Sequence, residues 1–345
     1  MTYNIKIQSS GHQFTAEKQE IILDAALRQG IAFPYGCRSG ACGSCLGEIK
    51  SGSVDYPDGL PIALSEEDTK VGKALFCQAI ASSDLEIHVA EIKRDTEIEI
   101  KTLPARVEGL RKLSHDVMEM TLKLPETERL QFLAGQYVEF LLKDGRRRSF
   151  SIANAPFNDE YLEFHIRHVP NGFFTEQVFN EMKEKSLLRI EGPHGSFFLR
   201  TDSERPILLI AGGTGFAPIK GIIEQIIEEG MSRPVHIYWG VRAKQDLYHD
   251  SLAKGWAFKH PNISYTPVLS EPKADDNWQG RTGFVHNAVT EDFTDLSGYD
   301  VYMAGPPPMI DAAKEAFANK GLPSEQLYFD SFDYSADALE AAQKA

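Results

Sequence analysis

The sequence lacks an excess of basic residues, and it lacks a long uninterrupted hydrophobic run. Its 345 residues include 36 lysines and arginines against 50 aspartates and glutamates, a formal net charge of -14. Nucleic acids and anionic membranes are bound through basic patches that displace counterions, so this charge argues against both as partners. The most apolar stretch, PILLIAGGTGFAPIKGII, is broken by glycines and by Lys220, so we expect no membrane span.

The N-terminal stretch also lacks the apolar core and cleavage pattern of a signal peptide. MTYNIKIQSSGHQF has the pattern of a strand instead. We therefore expect a cytoplasmic protein, a compartment in which cysteines stay as free thiols by default.

Cysteine is scarce, and the four cysteines that occur form one pattern. Cys37, Cys42 and Cys45 fall within nine residues, in PYGCRSGACGSC, and Cys77 follows 32 positions later. Zinc sites usually draw their cysteines from two distant Cys-x2-Cys pairs, whereas this spacing is that of plant-type 2Fe-2S ligands. The pattern predicts a 2Fe-2S cluster. A structural zinc site and four unrelated buried thiols are the alternatives.

Residues 1–93 resemble a complete plant-type ferredoxin domain, an α+β fold of the β-grasp type. YNIKIQ and HQFTAE predict a hairpin, EIILDAALRQG a short amphipathic helix, and DLEIHVAEI a closing strand. Glycines between the cysteines would let the backbone curve around a cluster and bring its N–H groups to the sulfurs. They are Gly36, Gly40 and Gly43.

A charged segment separates this domain from the next. We assign residues 94–103 to a linker and residues 104–201 to a second domain. Alternating apolar runs occur in ARVEGLRKLSHDVMEMTLKL, and Asp144-Gly145 joins QYVEFLLK to RRSFSIAN as a strong hairpin signal. Short strands at this spacing predict a small antiparallel β-barrel.

The second domain resembles the flavin domain of the ferredoxin–NADP reductase superfamily. That family's signature is Arg-x-Tyr-Ser, and this chain has Arg148, Ser149, Phe150 and Ser151 at those positions. The resemblance implies that the domain binds FAD, with Arg148 on the pyrophosphate and Ser151 hydrogen-bonded near N5 of the flavin. It also implies that Phe150, in place of the usual tyrosine, flanks the isoalloxazine. Phe150 and Ser151 are therefore the expected catalytic positions.

Two further segments match the flavin domain. NGFFTEQVF corresponds to the family's helix start beneath the pyrophosphate, with Gly172, Phe173 and Thr175 at the matching positions, and GPHGSFFL corresponds to the domain's end. His165 and His168 lie in a predicted strand, where residues three apart point to opposite faces. We therefore interpret both histidines as structural and not as a metal-binding pair.

Residues 205–332 resemble the pyridine-nucleotide domain of the same superfamily, an α/β fold with a doubly wound parallel sheet. RPILLIAGGTGFAPIKGIIEQII predicts a strand, a glycine turn and a helix, and three further strands follow. Ligands of such sheets bind at the carboxyl ends of the strands. The residues expected to bind the nicotinamide cofactor are Gly212, Gly213, Thr214, Gly215, Gly240, Arg242, Ser270, Gly305, Pro306 and Phe332.

Individual positions refine this expectation. Ala304 stands where the family often has a cysteine beside the nicotinamide, and Phe332 either stacks on the nicotinamide side of the flavin or only packs against the domain. A 2′-phosphate needs a cationic partner. Glu271 stands where phosphate-binding members tend to have arginine, so the sequence favours NADH over NADPH, with Lys273 as the offsetting cation. Residues 333–345 read as a polar tail.

The three domains together predict an electron-transfer enzyme. NADH gives up two electrons as a hydride, a 2Fe-2S cluster takes one at a time, and a flavin connects the two. The expected order is NADH, FAD, 2Fe-2S cluster and then an electron-accepting partner protein. The whole chain most resembles reductases of the CDP-6-deoxy-Δ3,4-glucoseen reductase type, whose acceptor is a sugar dehydratase. The alternatives are the reductase of a phenol hydroxylase or aromatic-ring oxygenase, and an electron carrier with a degenerate flavin site.

Overall fold

The computed structural model describes residues 2–92 and 98–333, which divide into two compact units, Met1–Ile98 and Glu99–Ala345. Residues 94–97 of the predicted linker and residues 334–345 of the predicted tail lie outside the described residues. Within the described ranges, no helix is both long enough and apolar enough to cross a membrane.

The first unit is built on a five-stranded sheet with the order β2-β1-β7-β3-β5. The predicted hairpin pairs antiparallel, the closing strand lies parallel beside the first, and the predicted helix buries its apolar face in the core. The α+β prediction is therefore confirmed. The elements are β1 (Thr2–Ile7), β2 (Gln13–Glu17), α1 (Ile22–Arg28), β3 (Leu46–Ser51), β4 (Val54–Asp55), α2 (Glu66–Lys70), β5 (Lys73–Leu75), β6 (Ile80–Ala81) and β7 (Leu85–His88).

The second unit begins with a six-stranded antiparallel sheet of order β11-β10-β13-β8-β9-β12. Its two edge strands lie against each other, so the sheet curls into the predicted barrel. Residues 101–103, which we assigned to the linker, belong to β8 because they pair with residues 190–192. The elements are β8 (Lys101–Lys112), β9 (Val117–Lys123), β10 (Tyr137–Leu141), β11 (Arg147–Ser151), β12 (Leu162–Arg167), α3 (Phe173–Glu176) and β13 (Leu187–His194).

The second unit ends with a six-stranded parallel sheet of order β17-β16-β15-β14-β18-β19. Helices α4 and α5 pack a core on one face, and α6 and α7 pack a core on the other, as predicted for a doubly wound fold. Two strands, β17 and β19, were not predicted. The elements are β14 (Ile207–Gly212), α4 (Phe216–Glu228), β15 (Val235–Val241), α5 (Asp250–Lys259), β16 (Ile263–Leu269), β17 (Arg281–Thr282), α6 (Val285–Asp292), β18 (Asp300–Gly305), α7 (Pro307–Ala318) and β19 (Leu327–Ser331).

A buried polar network joins the barrel to the parallel sheet. Lys220 of α4 lies 3.2 Å from Glu163 of β12 and 2.8 Å from Glu224. Burial alone would raise the pKa of the Glu163 carboxyl. The hydrogen bond from His165 and the charge of Lys220 outweigh that effect and lower the pKa to about 2. His165 also contacts the Tyr248 hydroxyl at 3.2 Å, so this histidine belongs to the network that fixes the two sheets.

Candidate functional site

The four cysteines come together in the first unit. Cys42, Cys45 and Cys77 are buried, and Cys37 is half-buried. The carbonyl of Cys45 accepts a hydrogen bond of 3.2 Å from the N–H of Phe76, which fixes the Cys77 segment beside the loop. The side-chain amide of Gln78 reinforces this by donating to the carbonyl of Arg38 at 2.6 Å.

The thiols form two neighbouring pairs. The Cys42 thiol donates to the sulfur of Cys37, and this bond lowers the pKa of Cys37 to about 5. The Ser39 hydroxyl and the N–H groups of Cys42 and Ser39, each N–H 3.4 Å away, lower it further. The Cys45 thiol donates in the same way to Cys77 and lowers its pKa. Donation and burial raise the pKa of Cys42 and Cys45. Backbone N–H groups directed at sulfur are what a negatively charged iron–sulfur cluster requires, so the donor set fits one.

The loop's shape depends on two of the three predicted glycines. Gly40 and Gly43 have positive φ, whereas Gly36 does not, and Arg38 takes the third such position with φ of 56°. The close approach expected at Gly36 stays a prediction. Gly40 is also tightly packed, since a Cβ on it would lie only 2.7 Å from the Cβ of Pro61. A side chain at position 40 would displace the loop that carries the thiols.

The flavin signature lies on β11, whose hairpin with β10 pairs Tyr137 with Ser151. Three consecutive arginines end the turn, and they have different surroundings. Arg146 bonds Asp144 at 2.8 Å, and Arg147 bonds Glu139 and Glu191 at 2.6 Å each. The side chain of Arg147 is thus committed to the sheet, while the half-buried Arg148 bonds the Arg147 carbonyl at 2.8 Å. The structure places Arg148 on β11 next to Arg147, and its role as the phosphate ligand stays a prediction.

Ser149 and Ser151 point to one face of the strand and Phe150 points to the other; Ser149 is exposed, Phe150 half-buried and Ser151 buried. The ring of Phe150 packs edge-on against Phe140, with a centroid distance of 5.3 Å. The buried Ser151 hydroxyl donates to a carboxylate oxygen of Asp330 at 3.1 Å. Asp330 lies on β19 and was not predicted as a site residue. Its partner strand β18 places Ala304 directly opposite, so the flavin signature meets the expected nicotinamide edge of the parallel sheet.

The segment around Gly172 is a tight loop leading into α3. The Thr175 hydroxyl accepts a hydrogen bond of 3.1 Å from the N–H of Val169 and donates to the carbonyl of Val169 at 3.0 Å. Thr175 therefore shapes the loop. A Cβ on Gly172 would lie 2.8 Å from that hydroxyl, so the close fit requires glycine. Phe173 is 44% exposed, and the Arg146 guanidinium lies 4.2 Å from its ring centroid.

Three of the predicted glycines meet at the carboxyl edge of the parallel sheet. Gly212 pairs with Gly240, and Gly305 ends the neighbouring strand. Gly213, Thr214 and Gly215 form one short 3-10 turn into α4. A Cβ on Gly215 would lie 1.9 Å from the Ala304 carbonyl oxygen, so only glycine lets this turn approach β18. The edge is a cradle of bare backbone suited to a pyrophosphate.

Arg167 is a second residue that the sequence did not mark. It ends β12, and a Cβ on Gly213 would lie 2.9 Å from its Nη1 atom, so its guanidinium reaches the glycine turn. Asp116 holds it through a 2.8 Å bond to Nε. The only sequence signal for Arg167 was a basic residue in LEFHIRH. The contact of Arg167 with the glycine turn depends on packing between the barrel and the parallel sheet, which the sequence does not show.

A groove of about 200 Å³ opens beside this turn, where β15 and β16 end. The loops there are joined, because Ser270 donates its N–H to the Val241 carbonyl at 2.9 Å and Glu271 donates to that of Arg242 at 2.8 Å. Acidic and basic side chains are equally numerous in the lining: Asp116, Asp246, Glu271, Arg167, Arg242 and Lys273. The groove therefore offers no net positive charge to an additional phosphate.

Phe332 and Pro306 lie at the same edge. The Phe332 N–H donates to the carbonyl of Gly305 at 2.9 Å, and its side chain packs partly against the domain core. Pro306 is exposed and precedes α7, which begins at Pro307.

Three protein families match the chain in succession. Residues 5–82 match the 2Fe-2S iron-sulfur cluster binding domain, residues 104–199 the oxidoreductase FAD-binding domain, and residues 209–315 the oxidoreductase NAD-binding domain. The predicted cofactors are thereby confirmed as a 2Fe-2S cluster, FAD and a nicotinamide nucleotide. The same match favours the cluster over zinc as the occupant of the cysteine site.

Known proteins of similar length align over nearly the whole chain. A CDP-6-deoxy-L-threo-D-glycero-4-hexulose-3-dehydrase reductase from Yersinia pestis is 45% identical, covering 96% of this chain and 99% of its own. The reductase component of phenol 2-monooxygenase from Pseudomonas sp. (strain CF600) is 34% identical, covering 100% and 98%. The crystal structure of a cytochrome P450 reductase from Amycolatopsis is 32% identical, with a TM-score of 0.80 over 96% of this chain and 98% of its own.

Proposed function

Since the chain belongs to the family of ferredoxin reductases that combine 2Fe-2S, FAD and NAD-binding domains, and is an NAD(P)H-dependent oxidoreductase, we propose that its natural donor is NADH. We propose further that its electrons leave one at a time from the cluster for a dehydratase acting on a nucleotide-linked deoxysugar.

The contact between Ser151 and Asp330 is the observation that carries the proposed route. It joins the flavin signature of the barrel to the strand beside Ala304 and Gly305, so the two expected binding edges are adjacent. When bound there, FAD supplies the step no side chain can perform, accepting a hydride and releasing electrons singly. The hydroxyl of Ser151, held by its bond to Asp330, would lie beside the reacting edge of a bound flavin and help to orient it.

The remaining residues of the site bind the two cofactors and position them. Arg148 forms a charge-assisted bond to the flavin pyrophosphate, and the loop from Gly172 to Thr175 lies beneath it. The bare turn from Gly212 to Gly215 holds the pyrophosphate of NADH, with Arg167 supplying a positive charge. Phe150 supports the ring from a barrel-core contact with Phe140.

In this proposal each cysteine pair would hold one iron of the cluster. The pairs are Cys37 with Cys42 and Cys45 with Cys77, the thiols that are hydrogen-bonded to each other. The N–H groups of Ser39 and Cys42 at 3.4 Å from the Cys37 sulfur stabilise the negative charge that the cluster carries.

The choice of donor depends on Glu271. Its carboxylate lines the groove beside Arg242 and Lys273. A 2′-phosphate entering there would be repelled by this carboxylate, whereas a 2′-hydroxyl could donate to it. This supports NADH.

The acceptor is tested by reconstitution. The holoprotein is supplied with NADH and either CDP-6-deoxy-L-threo-D-glycero-4-hexulose-3-dehydrase or the hydroxylase component of phenol 2-monooxygenase. We expect deoxygenated sugar only with the dehydrase, coupled to NADH oxidation. Phenol hydroxylation at a higher rate would assign the chain to an oxygenase system, and NADH oxidation with neither protein would reject both acceptors.

A further inference from the structure

The cysteine loop is bordered by apolar side chains that the fold leaves in water. We propose that Leu46, Leu60 and Ile62, called here the apolar patch, dock the electron-accepting protein, which presents an apolar centre with a basic rim. This rests on the proposed function, because it assumes that electrons leave the chain for another protein.

The apolar patch is tied to the thiols by covalent and packing contacts. Leu46 follows Cys45 directly. Leu60 and Ile62 flank Pro61, which is buried against Gly40 of the cysteine loop, and the N–H of Ala63 donates to the Gly40 carbonyl at 3.1 Å. A partner resting on the patch would therefore lie next to the loop that holds the redox group.

The segment does not depend on the apolar patch for its own packing. Leu46 is 42% exposed, Leu60 44% and Ile62 89%, whereas Leu64 of the same segment is 3% exposed and packs in the domain core. The segment thus has its own buried anchor. Large exposed apolar side chains attached to both ends of a functional loop indicate a surface that becomes buried in a complex.

The charge around the apolar patch specifies the partner's chemistry. Asp55, Asp58, Glu66 and Glu67 are exposed in the same segment, and none of them forms an ion pair within the described residues. Residues 2–92 hold seven lysines and arginines against twelve aspartates and glutamates. Such a rim attracts a basic surface and speeds its encounter.

The chain's own second unit is a poorer complement. Residues 99–345 hold 27 lysines and arginines against 36 aspartates and glutamates, so this part of the chain is also acidic. The charges therefore favour a separate basic protein as the occupant.

The electron balance at the apolar patch is simple. One NADH is oxidised to NAD+ with release of one proton, and its two electrons reduce two molecules of a one-electron acceptor. Cytochrome c, a small basic one-electron acceptor, is the probe for this surface, and the dehydrase of the proposed function is the second. Ferricyanide, an inorganic ion that needs no protein contact, is the reference.

The test compares Ile62→Ser with Val71→Ser. Val71 is 70% exposed in the same domain but lies beyond the Glu48–Lys73 pair, at the end of the β3–β5 ladder away from Leu46. We expect Ile62→Ser to raise the KM for cytochrome c by about tenfold, the usual effect of losing one buried apolar anchor. Val71→Ser should leave that KM unchanged, and both variants should reduce ferricyanide like the parent protein.

The outcomes distinguish a failure of the apolar patch from a failure of the proposed acceptor. If the parent protein reduces cytochrome c but not the dehydrase, and Ile62→Ser still raises the KM, the patch stands and the proposed acceptor fails. Equal KM values for both variants would overturn the patch, as would a parent protein that reduces neither acceptor. A slower bleaching of the cluster by NADH in Ile62→Ser, without any acceptor, would also overturn it, because the patch would then serve the chain's own flavin unit.

Discussion

The hydroxyl of Ser151 donates a 3.1 Å hydrogen bond to the carboxylate of Asp330, although 179 residues separate them in the sequence. Both side chains are buried, at 8% and 7% exposure. The bond links the end of a barrel strand to the last strand of the parallel sheet. In the proposed function it is the point at which the flavin and nicotinamide edges meet.

Removing the Ser151 hydroxyl should slow electron entry without emptying the protein of cofactors. In Ser151→Ala, Asp330 loses a hydrogen-bond donor and the flavin edge loses its positioned hydroxyl. We expect NADH-driven flavin bleaching, measured by stopped-flow absorbance, to slow by about 100-fold, the scale of one positioned polar group.

Ser149→Ala is the matched control, because Ser149 lies two residues away on the same strand and its side chain is exposed. NADH should bleach the flavin of Ser149→Ala at the parent rate. Equal rates for Ser151→Ala and the parent protein would show that the Ser151–Asp330 bond has no part in hydride transfer.

The cysteine site should fail independently of the flavin site. Its residues pack in a core separate from those of the second unit. Cys77→Ser is expected to lose iron and to reduce a protein acceptor more than about 100-fold more slowly, since even outer-shell changes cost 10–100-fold in metal affinity. Ferricyanide reduction by NADH should persist, because it needs only the flavin.

Ser51→Ala is the control for that variant, since Ser51 is exposed at the end of β3 farther from Cys45. Its iron content, measured colorimetrically, should match the parent. A Cys77→Ser protein that retained a full cluster and its protein-acceptor activity would remove Cys77 from the ligand set.

Glu271 should set the preference between the two nicotinamide nucleotides. In Glu271→Gln the groove gains a net positive charge from Arg242 and Lys273, so a 2′-phosphate is no longer repelled. We expect kcat/KM for NADPH to rise by about tenfold, a typical effect of one partly exposed charge, with that for NADH falling or unchanged.

Glu204→Gln is the matched change, because exposed Glu204 precedes β14 at the opposite edge of the sheet. Steady-state kinetics with both nucleotides should show no change for it. If Glu271→Gln left the NADPH value as low as in the parent, Glu271 would not be the discriminating residue.

Glu163 should make the second unit sensitive to acid. Its pKa is about 2 in the folded protein against an ordinary 4.5, so its carboxylate stabilises the fold above about pH 4.5. That contribution, on the order of 3 kcal/mol, is lost as the pH falls toward 2. Glu163→Gln should therefore unfold more easily than the parent at pH 7, and the difference should shrink between pH 5 and pH 2.

All three tryptophans lie in the parallel-sheet domain, so their fluorescence reports its unfolding in urea. Glu160→Gln, on an exposed side chain near Lys123, is the control and should follow the parent at every pH. A constant difference between Glu163→Gln and the parent across this pH range would contradict the assigned pKa.

The features that the sequence could predict are local ones. The cysteine ligands, the Asp144-Gly145 hairpin and the glycine turn before α4 each depend on residues close together in the chain. Asp330 and Arg167 could not be found that way, because each becomes a site residue only when another domain packs against it. Residue identity also does not predict the sign of φ at Gly36 and Arg38, because that sign depends on how the loop closes.

The central claim is that NADH reduces the cluster through the flavin within one chain. It is tested most directly by anaerobic titration of the holoprotein with NADH, followed by visible absorbance and electron paramagnetic resonance. We predict that the flavin and cluster bands both bleach and that one reduced 2Fe-2S centre per chain gives a paramagnetic signal. Bleaching of the flavin alone, with a cluster that dithionite but not NADH can reduce, would contradict the account.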